Sequence, residues 1–467
     1  MKLYTLIIVL FTSFILLSCN DDNSPEGLDF VAAFNNVSID FSKITSEQNI
    51  EFKFSKTAES DGQIYIRIKS ENANYDTDFS TFPSAVNNEL VIPFKKGQNS
   101  TSFLFKNLIY PFDRSDKKIE FEITKVDYPG GAVIQGYTSL VISFDVSIGG
   151  TMAPEIGGPN EPYQVYVDLS KDEQTKVKRD SWDLGFYNGT YPRVVINGSI
   201  YMATKALDET DLSKVTKSSV NKLLREVRVG TFEDSNKDYV DYPDGDILKT
   251  AITEIKDNDD DNPVYLLNLG YTVGTTIPAA GSVAVAGTER GWKKIKFLKR
   301  GEDYLIQYAD LDETTFHEKR IVKNSTHNFV FFSFNTNDEV SVEPEKLKWD
   351  LNFTVFTNLI TGSGSYGYTD FVVNNLKAGA KAYRVNVEND ITYEKFDASM
   401  IDESKFSNDQ RAIGDSWRQV TSPQTLYADR FYILKDGEDN YYKIRMLAFL
   451  NDTGVRGYPR FEYKLIK

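Results

Sequence analysis

Between residues 28 and 148 apolar and polar positions alternate with a period of two. Ile50-Glu-Phe-Lys-Phe54, Ile64-Tyr-Ile-Arg-Ile-Lys69, Leu90-Val-Ile-Pro-Phe94, Ser102-Phe-Leu-Phe-Lys106 and Ile119-Glu-Phe-Glu-Ile123 each read as a short strand, bounded by polar turns. Several such strands in one span predict an antiparallel β-sandwich. The alternation stops at 149–160, where Gly and Pro dominate, and this composition predicts a linker.

Strand patterns resume at 161, and they repeat. Arg179-Asp-Ser-Trp-Asp-Leu-Gly-Phe186 returns as Lys346-Leu-Lys-Trp-Asp-Leu-Asn-Phe353, so W-D-L-x-F occurs twice. Gln164-Val-Tyr-Val-Asp-Leu169 precedes the first copy as Phe329-Val-Phe-Phe-Ser-Phe334 precedes the second. Trp292-Lys-Lys-Ile295 with a turn at Gly301 matches Trp417-Arg-Gln-Val420 with a turn at Gly437. These landmarks predict two pseudo-repeats, 161–328 and 329–467. Helical signals are few: 218–227 has an N-cap serine and an apolar stripe, and 403–413 is a weaker pattern. The expected fold is all-β, an N-terminal antiparallel sandwich followed by a larger, internally duplicated, mainly antiparallel β domain with one or two short helices.

The N-terminus adds a compartment. Lys2, an apolar run over 6–17 and Leu16-Leu-Ser-Cys19 form a leader too short to span a bilayer. The Cys19 context resembles the lipobox of bacterial lipoproteins, which implies lipidation at Cys19, with 1–19 as signal peptide and 20–28 as tether. Asn20-Asp-Asp-Asn23 resembles the export tag of some Gram-negative surface lipoproteins. The expected location is the outer membrane, exposed at the cell surface. Cys19 is the only cysteine, so no internal disulfide is available and the core alone must stabilise the fold. A net charge of −15 with dispersed Lys and Arg argues against nucleic acid and anionic lipid surfaces as partners. The 31 Phe and 27 Tyr, with frequent Val, Ile and Thr, agree with sheet.

Candidate chemistry is sparse. The two histidines, His317 and His327, fall on or beside one predicted hairpin turning at 324–326, where they read as solvent-facing strand residues, and no nucleophile motif accompanies them. Gly362-Ser-Gly-Ser-Tyr-Gly367 matches G-x-G-x-x-G but is followed by a strand pattern, so it reads as a hairpin loop. Asp257-Asn-Asp-Asp-Asp-Asn-Pro263 starts like a calcium loop, then places Asn262 and Asn268 where Gly and Glu belong, so it reads as a solvated turn and calcium is not expected. The small-residue run 272–286 reads equally as a binding lid or a flexible loop. Met202 reads as a core residue or a soft ligand. No acid–base constellation is visible, and a non-enzymatic protein is expected.

With the lipobox, the W-D-L-x-F copies, Arg290-Gly-Trp-Lys-Lys-Ile295 and Tyr458-Pro-Arg-Phe-Glu-Tyr463 assembled, residues 160–467 resemble the HmuY-like haem-binding lipoproteins. The resemblance implies an all-β protein that captures haem and passes it to an outer-membrane receptor, with iron held by a pair of His or Met side chains. No motif in this chain marks that pair; Met202, His317 and His327 are the candidates. Trp182, Phe186, Trp349 and Phe353 are expected to anchor each unit in its core, and Asp183 and Asp350 to bond local backbone. Tyr75-Asp-Thr-Asp-Phe79 and the extended 94–103 loop loosely resemble Calx-β-type sandwich domains. The leading expectation is a surface-anchored lipoprotein that binds haem or a similar hydrophobic ligand for uptake. The alternative is a glycan- or protein-binding adhesion module.

Overall fold

The computed structural model describes residues 29–40, 44, 46–108, 117–143, 149–388 and 390–467. The 1–19 leader with Cys19, and the 20–28 tether, lie outside the described residues. Among the described residues no helix is long and apolar enough to cross a membrane.

The alternating segments fold as the pattern requires. Ala32–Phe34, Glu47–Phe54, Ser100–Asn107 and Phe79–Phe82 make a four-stranded sheet. Ser38–Asp40, Ser139–Ser143, Lys118–Asp127, Gly62–Glu71 and Glu89–Phe94 make a five-stranded one. Every second residue points inward, so Ile64, Ile66 and Ile68 from one sheet share a core with Phe52, Phe103 and Phe105 from the other. Pairing is antiparallel except between Ser38–Asp40 and Ser139–Ser143, which run parallel.

Two further sandwich units follow. The first sets a four-stranded sheet against a five-stranded one. In order these are Val194–Ile196, Leu184–Tyr187, Phe329–Ser333, Asp338–Val340, and Ala203–Ala206, Val264–Asn268, Trp292–Arg300, Asp303–Ala309, His317–Ile321. The second has the same plan. Its sheets run Gly364–Asn374, Leu351–Ile360, Tyr163–Asp168, Glu173–Lys178, and Lys381–Asn386, Arg430–Lys435, Tyr441–Leu450, Arg456–Leu465, Gly149–Met152.

The duplication is therefore visible in sheet order, and it is an exchanged one. Tyr163–Asp168 pairs with Leu351–Ile360, while Phe329–Ser333 pairs with Leu184–Tyr187. The strands ahead of them cross over too: Gly149–Met152 edges the second unit and His317–Ile321 the first. By topology each repeat thus opens with a strand that the expected boundaries at 161 and 329 leave out, and its opening strands serve the other unit.

This arrangement corrects several expectations. The 149–160 segment is not a free linker, because Gly149–Met152 is a sheet edge. Gly149 serves close strand packing; a Cβ there, where φ is +143°, would lie 2.5 Å from the Tyr463 carbonyl oxygen. The Gly301 and Gly437 turns are not equivalent. Gly301 joins Trp292–Arg300 to Asp303–Ala309, whose counterparts are Tyr441–Leu450 and Arg456–Leu465; Gly437 falls one connection earlier. Trp417, outside the main sheets, is accordingly no counterpart of Trp292, which opens a strand. The helices shrink to Leu223–Glu226 and single 3-10 turns such as Glu403–Lys405. Segments this short do not nucleate helix unaided, and Val220 and Val227 instead dock onto Val264 and Leu266.

The W-D-L-x-F copies hold the exchange together. Leu184 and Phe186 enter the first core, Leu351 and Phe353 the second. The aspartates bond backbone of the other repeat, which corrects the expectation of local bonding. Asp183 accepts from the Phe334 N–H at 2.7 Å, and Asp350 accepts from the Leu169 N–H at 2.8 Å. Leu169 and Phe334 occupy equivalent positions, each just past an exchanged strand. The two clasps differ in charge. Asp183 also pairs with Arg290 at 2.5 Å, whereas burial pushes the Asp350 carboxyl well above its ordinary range. Asp183→Asn, which leaves the Arg290 guanidinium buried beside a neutral amide, is expected to cost about 3 kcal/mol. Asp350→Asn keeps an oxygen acceptor for Leu169 and is expected to cost under about 1 kcal/mol. Chemical denaturation of the two variants checks the difference.

Candidate ligand cavity between the repeats

The two four-stranded sheets turn their outer faces toward each other. Strand alternation sends Val165 and Val167 inward and Tyr166 outward; Phe332 points inward and Phe331 outward. Tyr166, Phe331, Trp182, Trp349 and Val342 meet there in a cluster of their own. Trp349 meets Tyr166 edge-on with centroids 4.9 Å apart, and Trp182 meets Phe331 the same way at 4.8 Å. The tryptophans therefore do not anchor separate cores, as the sequence suggested, but face one space between the units.

Beside this cluster lies a cavity of about 210 Å³. Its walls come in pairs related by the duplication. Leu184 faces Phe332 and Ile196 across its sheet, and Leu351 faces Val167 and Asn374. That register makes Trp182 the counterpart of Trp349, Tyr166 of Phe331, Val195 of Val373 and Asn197 of Asn375, and all eight line the cavity. Residues 240–247 close one side, and Phe356 lies in the wall.

Asn197 and Asn375 hold the walls. Asn197 Nδ2 donates to the carbonyls of Arg179 and Trp182, at 2.7 and 2.8 Å; Asn375 Nδ2 donates to those of Lys346 and Trp349, at 2.8 and 2.9 Å. Each thus fixes the turn that presents its tryptophan. The sequence reading missed both. The signal was present as Val194-Val-Ile-Asn197 and Val372-Val-Asn-Asn375, a V-V-x-N repeat.

The duplication also leaves one wall unsatisfied. Trp182 Nε1 has Gln164 Oε1 at 3.5 Å, a long contact. The counterpart of Gln164 is Phe329, which offers no acceptor, and Trp349 Nε1 is buried with no partner. Asn352 Oδ1, on the same wall, is likewise buried and unpartnered. Both side chains are more than nine-tenths enclosed, with 9% and 8% of their surface exposed.

The titratable groups of the cavity are engaged by backbone. Asp241 accepts from Ile196 and Ala251 N–H groups, and burial lifts its carboxyl to about 6. Glu343 accepts from the Phe329 N–H at 2.8 Å and is pushed up to about 8, again by burial. Lys377 donates to the Gly245 carbonyl, and burial lowers its ammonium. Carboxyls committed to backbone N–H groups suit a binding wall better than acid–base chemistry.

The residues singled out in the sequence do not converge. Met202 lines the cavity but is fully enclosed within the first core. His317 sits exposed on an edge strand, its ring stacked 5.4 Å from that of Tyr308. His327 lies on the following turn, its Nδ1 within hydrogen-bond reach of Thr326 Oγ1 at 2.8 Å. The expected common hairpin is absent, because His317–Ile321 and Phe329–Ser333 belong to different sheets. The 272–286 run does not cover the cavity. It is tied instead to Asn160, whose Nδ2 donates to the Thr276 and Ala284 carbonyls, and to Gln424, which donates to Gly281. Asp257 and Asp259 pair with Lys299 and Arg300, and among the described residues no cluster of three or more His, Cys, Asp or Glu could hold a metal ion. Of the 362–367 glycines only Gly362 lies in the hairpin turn; Gly364, which faces Ile360, and Gly367, which faces Thr357, belong to the strand Gly364–Asn374.

The raised carboxyls carry a pH signature. A folded-state value above the ordinary one means that the folded protein binds more protons, so stability falls as pH rises through the interval. For Glu343 that interval runs from 4.5 to about 8, and for Asp241 from 3.8 to about 6. The melting temperature is expected to decline between pH 5 and 8, and Glu343→Gln to flatten that decline by raising stability at pH 8 relative to pH 5. A Glu343→Gln profile parallel to the parent's contradicts the assignment.

The HmuY protein family profile matches residues 160–302 and 325–463, one match for each copy of W-D-L-x-F. No curated protein matches the chain. Among solved structures, the apo-form Calx CBD1 domain is similar over 24% of this chain and 94% of its own, at 10% identity and a TM-score of 0.21. A protein described as HmuY-like and heme binding from Bacteroides vulgatus is similar over 68% of this chain and 93% of its own, at 10% identity and a TM-score of 0.18. The apo HmuY analogue of Tannerella forsythia is similar over 69% of this chain and 99% of its own, at 12% identity and a TM-score of 0.18. Matched by the profile over more than half of its length, the chain belongs to the HmuY family.

Proposed function

We propose that this protein is a non-catalytic binding protein that holds haem, or a hydrophobic ligand of the same class, between its two repeats, and that a lipid on Cys19 anchors it at the cell surface for ligand uptake. The observation that carries the reading is the cavity on the axis of the duplication, walled by both W-D-L-x-F tryptophans with Tyr166, Phe331 and Phe356. Apolar, aromatic walls with a few fixed polar groups are what a ligand pocket requires. Membership of the HmuY family supports haem as the ligand class.

The residues present do not fit iron ligation inside this cavity. Haem iron takes His, Met, Cys or Tyr side chains. Among the described residues Met202 is the only His, Met or Cys lining the space. Tyr166 offers no substitute, since Gln164 Nε2 donates to its hydroxyl at 2.7 Å and burial holds the phenol well above its ordinary range; Tyr242, the other tyrosine of the lining, is a half-exposed side chain whose ring lies under Lys249 Nζ at 5.1 Å. What the chain does supply is two indoles in the wall and unpartnered polar atoms at Trp349 and Asn352.

The direct test is titration of the purified protein with haemin, followed by the Soret band and by quenching of tryptophan emission. Saturable quenching with a 1:1 end point is expected, and His317→Ala and His327→Ala are expected to leave it unchanged. Absence of any spectral change in both oxidation states removes the haem reading.

A further inference from the structure

The mismatch between an aromatic cavity and the missing axial pair points to how the ligand is held. Resting on the reading above, we infer that the cavity retains a planar, carboxylate-bearing ring system through its ring faces and its carboxylate, and that a metal in the ring contributes nothing to affinity.

Three observations converge. Trp182 and Trp349 bring two indoles into one cluster, and stacking on an aromatic face depends on the ring, not on a central metal. Trp349 Nε1–H and Asn352 Oδ1 are buried without partners on the same wall, and native proteins rarely leave such atoms unpaired unless a water or a ligand completes them. Their opposite numbers do not share the defect: Trp182 has Gln164, and the position equivalent to Asn352 is Gly185, which carries no polar side chain. The unpartnered side-chain atoms of the lining, Trp349 Nε1, Asn352 Oδ1 and Asn374 Oδ1, all lie on the second unit's wall, so a ligand with one polar edge has a single orientation. The Asn352 amide can turn to present its NH2 group, and with Trp349 Nε1–H it then offers two donors to one carboxylate. Lys377, lining the same cavity, donates to the Gly245 carbonyl. Carboxylate is therefore the group that this wall takes. Met202, the one soft donor nearby, is consumed by packing.

The test compares three porphyrins on the full protein: haemin, metal-free protoporphyrin IX with two carboxylates, and etioporphyrin with neither metal nor carboxylate. Haemin and protoporphyrin IX are expected to bind within about threefold of each other, and etioporphyrin about tenfold more weakly, the worth of one charge-assisted hydrogen bond. Trp349→Phe keeps an aromatic ring and removes the donor; it is expected to weaken protoporphyrin IX about tenfold and to leave etioporphyrin unchanged. Asn352→Leu, on an independent residue, is expected to act in the same direction. Haemin that binds while protoporphyrin IX binds at least about tenfold more weakly overturns the inference and leaves the haem reading standing. Variants that bind all three as the parent does assign the two orphaned atoms to water and also overturn it. If no porphyrin binds, the haem reading itself falls.

Discussion

The architecture depends on two buried carboxyls that reach across the duplication. Asp183 and Asp350 follow the two tryptophans, and each takes the backbone N–H of a residue more than a hundred positions away in the other repeat. Those bonds close the far ends of Tyr163–Asp168 and Phe329–Ser333, whose registers backbone pairing sets. With them, each unit is completed by its sister, neither core closes alone, and the outer faces of the two four-stranded sheets must confront each other. The space between the repeats is a consequence of the exchange. The two clasps use different chemistry for the same geometry, a buried ion pair at Asp183 and, at Asp350, a buried carboxyl near Asp168, Asp436 and Glu438.

How much of this could be read in the sequence differs by level. The N-terminal sandwich was legible because period-two alternation is a local property; Ile64, Ile66 and Ile68 declare their face without knowing their neighbours. The duplication was legible because W-D-L-x-F is rare and appears twice. The exchange was not, since a repeated motif specifies which strands exist and leaves open which copy each one pairs with. For the same reason Gly149–Met152 passed for a linker: an edge strand pressed against Tyr463 needs glycine as much as a flexible tether does. Turn motifs were the least secure guide. Gly301 and Gly437 share local chemistry and occupy different connections.

The candidate site was half legible. Tryptophan scarcity drew attention to Trp182 and Trp349, yet their role as facing walls follows only from strand direction and pairing. Asn197 and Asn375 carried a readable V-V-x-N signal that was overlooked because asparagine at a strand end also reads as an ordinary turn residue. The histidines drew attention as scarce metal ligands, and the structure leaves one on an exposed edge and the other on a turn. Rarity marks residues worth examining, but only register decides which of them meet.

The central claim is that the ligand lies between the repeats, and a crystal structure of the protein grown with protoporphyrin IX tests it most directly. Ring density in the cavity against Trp182 and Trp349 is expected, with one carboxylate within hydrogen-bond distance of Trp349 Nε1. Density at the surface beside His317 or His327, with only water in the cavity, would contradict it.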